Sequence, residues 1–278
     1  MPRIKLTEEN YYSPKMNQKF CSASQFKDFV GFPLMAGCEE RALATIRGDY
    51  VKETTKALLQ GSILDALWEN DDPEYIIERF PDCVSSRGTT KGQLKSEYMD
   101  ALKWYQRTLR EEKFCMYMSG KKQVIMTGKI EGLPFKIKID SFIDGKAIVD
   151  LKTTRTLDRN QRYFIPDSGE RLPFYLAYGY DTQMAIYREI VRQKTGDLLN
   201  CYLACVDKSE HPTCDIIHLN PKMLDDALER VKMNCQRIIM LKAGEIEPMR
   251  CERSECDYCR DTHKCEVLSS DEFETMDA

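Results

Sequence analysis

Nowhere does this chain approach the roughly 20 consecutive apolar residues that a bilayer-spanning helix requires. The opening "MPRIKLTEENYYSPKMNQ" also lacks the hydrophobic core of a signal peptide. Both absences point away from membrane and secreted proteins, and a cytoplasmic location is the expectation. No Pro/Gly/Ser-rich linker and no internal repeat divides the chain. One domain over residues 1–268 is therefore expected, followed by an acidic tail over 269–278, "SSDEFETMDA", expected to be disordered. Excess basic charge is missing too: the formal net charge is −4. Most nucleic-acid binders carry a basic patch, so composition does not advertise one. It does not exclude one either, because an enzyme that grips DNA through metals and a local groove can be acidic overall.

What is present describes an ordinary globular chain: 278 residues, 42% hydrophobic and 31% charged, enough for a sizeable core. The 12 cysteines exceed what packing needs. Cys21, Cys38, Cys83, Cys115, Cys201, Cys205, Cys214 and Cys235 are scattered, several of them in apolar surroundings that suit small core residues. Cys251, Cys256, Cys259 and Cys265 cluster in "RCERSECDYCRDTHKC". In a reducing compartment such a cluster points to a metal site before it points to disulfides.

Hydrophobic periodicity orders the elements. "SASQFKDF", "CEERALATIRG", "ETTKALLQGSILDALWEN" and "KGQLKSEYMDALKWYQRTLREE" carry helical spacing, with Leu58, Ile63 or Ser62, and Ala66 so spaced in the third and Leu94, Tyr98, Leu102 and Tyr105 on one face of the fourth. They make a helical part over about 20–115. The period then drops to two in "QVIMTGKIEG", "LPFKIKIDSFIDG" and "AIVDLKTT", joined at Glu131-Gly132 and Asp144-Gly145. "YLAYGYDTQMAIYREIVRQKTG" is a helix ending at Gly196, "NCYLACVD" and "CDIIHLN" are strands, and "PKMLDDALERVKMNCQRIIMLKAG" is a long helix opened by Pro221. This order implies an α/β (α+β) fold with a central mixed sheet over about 120–245, flanked by helices, and a cysteine cluster over 251–265.

Two of these strands keep charges that an ordinary buried strand would not. Alternation puts Phe135, Ile137 and Ile139 on one side of their strand and Lys136, Lys138 and Asp140 on the other. In the next strand Val149 and Leu151 share a face, opposite Ile148, Asp150 and Lys152. Any one of Asp140, Asp150 and Lys152 fits a salt-bridged sheet surface. Together they bring two carboxylates to adjacent strand ends, an oxygen-ligand site suited to Mg²⁺ or Mn²⁺. Lys152 stands beside it, where an amine can orient a water or help deprotonate it. Phosphodiester hydrolysis needs that combination. Lys136 and Lys138 can neutralise Asp140, meet DNA phosphates, or serve structural pairing.

Asp140 followed by "DLK", Asp150 to Lys152, resembles the motif of the PD-(D/E)XK nuclease superfamily. In "YDTQMAIY", Gln183 and Tyr187 stand one helical turn apart. They resemble the added Q-x-x-x-Y signature of the RecB-type and exonuclease VIII-like branch, which implies contact with the DNA end or backbone near the metal. The branch usually carries His or Glu in a helix shortly after a glycine; here Asp65 follows Gly61, a departure that leaves a carboxylate as the candidate ligand. Stretches from about Tyr11 to Cys265 are similar to the phage-encoded members with a PDDEXK-like domain.

The resemblance implies a restriction-endonuclease-like core and a metal-dependent deoxyribonuclease, a 5′→3′ exonuclease on double-stranded DNA ends serving phage-type recombination. A flap or structure-specific endonuclease and a non-catalytic DNA-binding protein are the alternatives. Asp65, Asp140, Asp150 and the Leu151 carbonyl would hold the cation, Lys152 would position water, Thr153 and Thr154 would touch the phosphate, and Gln183 and Tyr187 would steer the strand. A single-strand annealing protein and a second copy of the chain are the candidate protein partners. For the cysteines two readings stand. A zinc site would use Cys251, Cys256, Cys259 and Cys265, with His263 as a substitute. Resemblance to RecB-type nucleases instead implies a [4Fe–4S] cluster on Cys38, Cys256, Cys259 and Cys265, with Cys251 as the alternate to Cys265.

Overall fold

The computed structural model describes residues 6–251, 256–265, 267, 269 and 270. All of the expected acidic tail beyond Ser270 lies outside them. Helix α1 (Pro14–Lys19) is followed by α2 (Ala23–Val30), which starts where Ser22 and Gln25 form a reciprocal capping box. A short hairpin, β1 (Gly31–Phe32) with β2 (Met35–Ala36), leads into α3 (Glu39–Arg47), which ends at Gly48 with φ 89°. Helix α4 (Lys56–Glu69) is capped by the Thr55 hydroxyl, and α5 (Pro73–Arg79), α6 (Ser96–Thr108) and α7 (Glu112–Tyr117) complete the helical part.

Three long strands follow: β3 (Lys121–Ile130), β4 (Leu133–Ile143) and β5 (Ala147–Thr154). Glu131 and Gly132 turn the first pair with φ 46° and 82°, the mirror-image turn that matches strand twist. After β5 comes a small hairpin, β6 (Tyr163–Phe164) with β7 (Arg171–Leu172). The expected single helix over residues 175–196 is broken into α8 (Phe174–Ala177) and α9 (Tyr180–Thr195). The break falls at Gly179, whose φ of 63° no helix interior tolerates. Strands β8 (Asn200–Asp207) and β9 (Cys214–His218), α10 (Pro221–Ala243) and α11 (Asp257–Asp261) finish the described chain.

The central sheet has five strands in the order β3-β4-β5-β8-β9. β5 and β8 run parallel and the other neighbours antiparallel, so the sheet is mixed, as the sequence implied. One core gathers Phe135, Ile137, Ile139 and Ile148 with α2, α3, α9 and α10 residues such as Phe26, Ile46, Met184 and Leu224. The second gathers Val149, Leu151, Ala204 and Val206 with Ile63, Leu67, Trp104 and Phe114 from α4, α6 and α7. Cys21, Cys83, Cys201, Cys205 and Cys235 are core residues, as expected. Leu58 is not: it is 61% exposed, while Ile63 and Ala66 of the same helix are buried. Among the described residues no helix is long and apolar enough to cross a membrane.

Candidate active site

The ladder between β4 and β5 runs from Ile143–Ala147 to Ser141–Val149 and stops there. The next opposed residues are Asp140 and Asp150. Instead of a backbone pair, the Asp140 carboxylate accepts from the Leu151 N–H at 2.8 Å through Oδ2. The strands therefore part where the two acids sit, which opens space between them. On the outer side, Gln123 of β3 faces Asp140 across another missing pair, with φ at 50°. Its Nε2 donates to Asp140 Oδ1 at 3.4 Å, while its buried Oε1 has no hydrogen-bond partner. A left-handed backbone at a residue other than glycine is strained.

A cavity of about 780 Å³ covers this opening. Asp65, Asp140, Asp150, Lys152, Gln183 and Tyr187 all line it, together with Lys136 and Lys138. Asp150 is almost fully buried; Gln183 Nε2 donates to its Oδ1 at 2.8 Å. Its Oδ2 is held by the Lys152 ammonium. Burial and the neighbouring Asp150 charge push Asp140 up to about 7, partly countered by Lys152. Asp65 is also raised well above the usual carboxylate range, by burial and then by Asp140. Two acids raised in this way beside a third carboxylate are what a divalent cation resolves. The donors are hard oxygens gathered in one cavity, so they fit Mg²⁺ or Mn²⁺.

Lys152 is driven the other way. Burial lowers its pKa, but Asp150, Tyr180 and Asp140 more than offset this and hold the amine charged well beyond its ordinary range. Its Nζ also lies 5.0 Å from the Tyr180 ring centroid and donates to the Leu151 carbonyl at 3.4 Å. An amine held in that state donates hydrogen bonds and does not accept protons. Lys27 completes the positive side: burial and the Lys152 charge bring it down to about 8.

The remaining expected residues are distributed unevenly. The Tyr187 hydroxyl donates to the Lys138 carbonyl at 3.1 Å, so this tyrosine braces the strand that carries Asp140. Thr153 lines a smaller cavity with Asp65, Lys152 and Tyr180. Thr154 is buried and its hydroxyl donates to the Thr156 carbonyl, and it is not among the residues lining either cavity. Lys136 is buried against the Tyr11 carbonyl and donates to Asn17 Oδ1 at 2.7 Å, a structural pairing. A larger cavity of about 1090 Å³ lies elsewhere, between β2, β7 and α10; of the four acids that line it, Asp181 and Asp226 are paired with Arg230 and Lys222.

Residues 22–262 match the family described as "PDDEXK-like domain of unknown function (DUF3799)". The chain belongs to this family. The crystal structure of a candidate exonuclease from Eubacterium rectale is 38% identical, covers 99% of this chain and 100% of its own, and superposes with a TM-score of 0.91. The shared fold is restriction-endonuclease-like, a mixed sheet flanked by helices. A second solved structure, that of SSO0001, is 13% identical over 73% of this chain and 82% of its own, with a TM-score of 0.28 that is too low to bear on the fold. Among curated proteins none matches.

The family match ends just before Cys265, and the structure divides the cysteines at the same place. Sγ atoms of Cys38, Cys251, Cys256 and Cys259 all lie within 4.8 Å of one another. Cys38 and Cys259 are 3.6 Å apart, and Cys251 and Cys259 3.7 Å. Cys265, expected as a ligand with Cys251 as its alternate, is exposed beyond the end of α11, and so is His263. The reason is local. The N–H of Glu39 donates to the Met249 carbonyl at 3.0 Å and Glu39 Oε2 accepts from the Met249 N–H at 2.8 Å, which docks the 249–251 segment beside Cys38. Arg237 fixes Glu39 with two hydrogen bonds of 2.5 and 2.8 Å. Burial raises the Cys259 thiol, and its sulfur neighbours add to this. Four gathered thiols of that kind fit a soft-ligand metal.

Periodicity and motif did not single out Gln123, Lys27 or Tyr180. For Gln123 the available signal was register, since it falls opposite Asp140 once the β3–β4 turn is placed. Tyr180 and Lys27 reach Lys152 from α9 and α2, and only the packing of those helices brings them there.

Proposed function

We propose that this protein is a divalent-cation-dependent deoxyribonuclease, an exonuclease that degrades double-stranded DNA from its ends in the 5′→3′ direction. The observation that carries the reading is the convergence of Asp65, Asp140, Asp150 and a charged Lys152 on one cavity at the point where β4 and β5 separate. The description of the Eubacterium rectale relative supports the exonuclease assignment. Asp65, Asp140, Asp150 and the Leu151 carbonyl would hold Mg²⁺ or Mn²⁺, which when bound supplies positive charge to the phosphate being cut. Gln183 orients Asp150, and Gln123 orients Asp140. Lys152 donates to the attacking water or to a phosphate oxygen and stabilises negative charge as the bond to phosphorus forms. Strand steering by Gln183 and Tyr187 and phosphate contact by Thr153 complete the assignment. A role beside a single-strand annealing protein in recombination follows from the same family reading.

Purified protein and Mg²⁺ incubated with end-labelled linear duplex and with covalently closed circles is the test. Loss of label from linear DNA alone is expected. Cutting of the circles would assign an endonuclease, and binding without cutting of either would assign a non-catalytic DNA-binding protein.

The four thiols favour zinc. A tetrahedral zinc site with bonds near 2.3 Å separates its sulfurs by about 3.8 Å, close to the 3.6 and 3.7 Å seen here. A [4Fe–4S] core interposes its own irons and sulfides and spreads the thiolates further. Colourless protein with stoichiometric zinc is expected. Brown protein absorbing near 400 nm would assign iron–sulfur instead.

A further inference from the structure

A row of aromatic rings leads outward from Lys152. Tyr180, whose ring the Lys152 ammonium faces, stacks with Tyr178 at 6.0 Å and 20°. Tyr178 meets Tyr163 of the β6–β7 hairpin edge-on at 5.4 Å. Rings in contact usually make a core, but Tyr178 and Tyr163 belong to neither core. Tyr178 is 37% exposed and Tyr163 is half-buried, so both rings reach solvent. Lys27 props the row from behind: its Nζ donates to the Tyr178 carbonyl at 3.2 Å and lies 5.3 Å from the Tyr180 ring.

The segment between catalytic strand β5 and this hairpin carries Arg155, Arg159 and Arg162, all exposed. Among the described residues no ion pair engages any of the three. Arg162 donates to the Arg159 and Gln161 carbonyls, which holds the segment together, and the Arg155 charge acts on the Tyr178 hydroxyl. Rings offer faces to bases of any sequence, and guanidiniums neutralise the phosphates between them.

We propose that Tyr178 and Tyr163, with Arg155, Arg159 and Arg162, form a track that stacks the unpaired bases of single-stranded DNA whose phosphate reaches Lys152. The inference rests on the nuclease reading and deepens it: the strand is cut after separation from its complement. Its continuity with the site runs through Tyr180, which touches both the track and the catalytic amine.

Fluorescence anisotropy with a labelled single strand of about 12 nucleotides, in Ca²⁺ to prevent hydrolysis, tests it. Tyr178→Ala and Tyr163→Ala are each expected to weaken binding about 10-fold, and Tyr178→Trp to retain affinity within about twofold. Arg159→Ala should reduce the salt slope by about 0.7. Tyr163 stands in the short hairpin outside both cores, so its variant keeps the test open if Tyr178→Ala does not fold. Wild-type affinity in both alanine variants, a Trp variant as weak as Ala, or no single-strand binding by the wild type would overturn the track. So would the same dependence for RNA with none for DNA. Wild-type protein that binds the strand through these rings yet hydrolyses no DNA in Mg²⁺ would instead sink the nuclease reading and leave the track standing.

Discussion

Lys152 has two jobs that a mutation separates. It is the counter-charge of nearly buried Asp150 and the donor that faces the cavity. Lys152→Ala is expected to lower the cleavage rate at least about 100-fold, the scale of losing one charged donor to a developing anion. Far-UV circular dichroism should remain that of a folded protein; wild-type turnover would remove the amine from the mechanism. Asp140 makes the complementary prediction. Its carboxyl is raised from 3.8 to about 7 in the folded chain, so the folded state holds this proton more tightly than the unfolded one. The stability this gives is complete below the unfolded value and is lost as pH rises through about 7. Without divalent cation, Tm should therefore fall between about pH 4 and pH 7 and level off above that, and Mg²⁺ should restore it. Asp140→Asn keeps an oxygen for the Leu151 N–H but removes the repulsion. Its cation-free Tm at high pH should rise by about 2–4 °C and lose its response to Mg²⁺. A lower Tm, or a retained response, would contradict the three-acid account.

At the scale of elements, the break at Gly179 sets where α9 begins and so where Tyr180 and Gln183 point. A Cβ there would stand 3.0 Å from Phe32 Cβ and 3.2 Å from Lys27 Cδ, on a backbone with φ at 63°. Gly179→Ala should cost about 1–2 kcal/mol and disturb activity as well, measured by denaturant unfolding and by DNA cleavage. Gly196 at the other end of α9 has φ at 84° but open space around it; Gly196→Ala should cost similar stability and leave cleavage alone. Equal activity losses would show that helix stability, not the kink, is what matters. The same break marks what the sequence could carry. Strong periods and turn pairs such as Glu131-Gly132 made the strands and most helices legible, and the acids with them. A single helix was expected across Gly179 because apolar spacing continues on both sides; the left-handed residue is set by packing against Phe32 and Lys27. Helix α6 likewise starts at Ser96 instead of Lys91, because Leu94 pairs with Val84 in an isolated bridge. The hairpin of β6 and β7 has strands of two residues, too short for alternation to register.

Across the whole molecule, the four-thiol site ties the start of α3 to the segment after α10. Cys38 is the residue that caps α3, and Cys251, Cys256 and Cys259 arrive more than 200 residues later. A metal that binds only the folded arrangement stabilises it by linkage, and closing so long a loop removes freedom mainly from the unfolded chain. The acids proposed for catalysis use no residue of this site, so binding at the two proposed metal sites should be separable. Cys251→Ser is expected to lose the structural metal, measured by elemental analysis, and to lower Tm. Cys265→Ser should retain both metal and Tm, because its side chain stands exposed outside the cluster. The opposite pattern would move the ligand set back to Cys265 and detach the 249–251 segment from the site. Sequence spacing left Cys251 and Cys265 open because both flank the C-x2-C pair at permissible distances. What separates them is Glu39, which hydrogen-bonds Met249 through both backbone and side chain. That contact spans two elements with no periodicity in common. The staple is therefore a property of the assembled fold: α10 supplies Arg237, α3 supplies Glu39, and their fork seats the cysteine that completes the cluster.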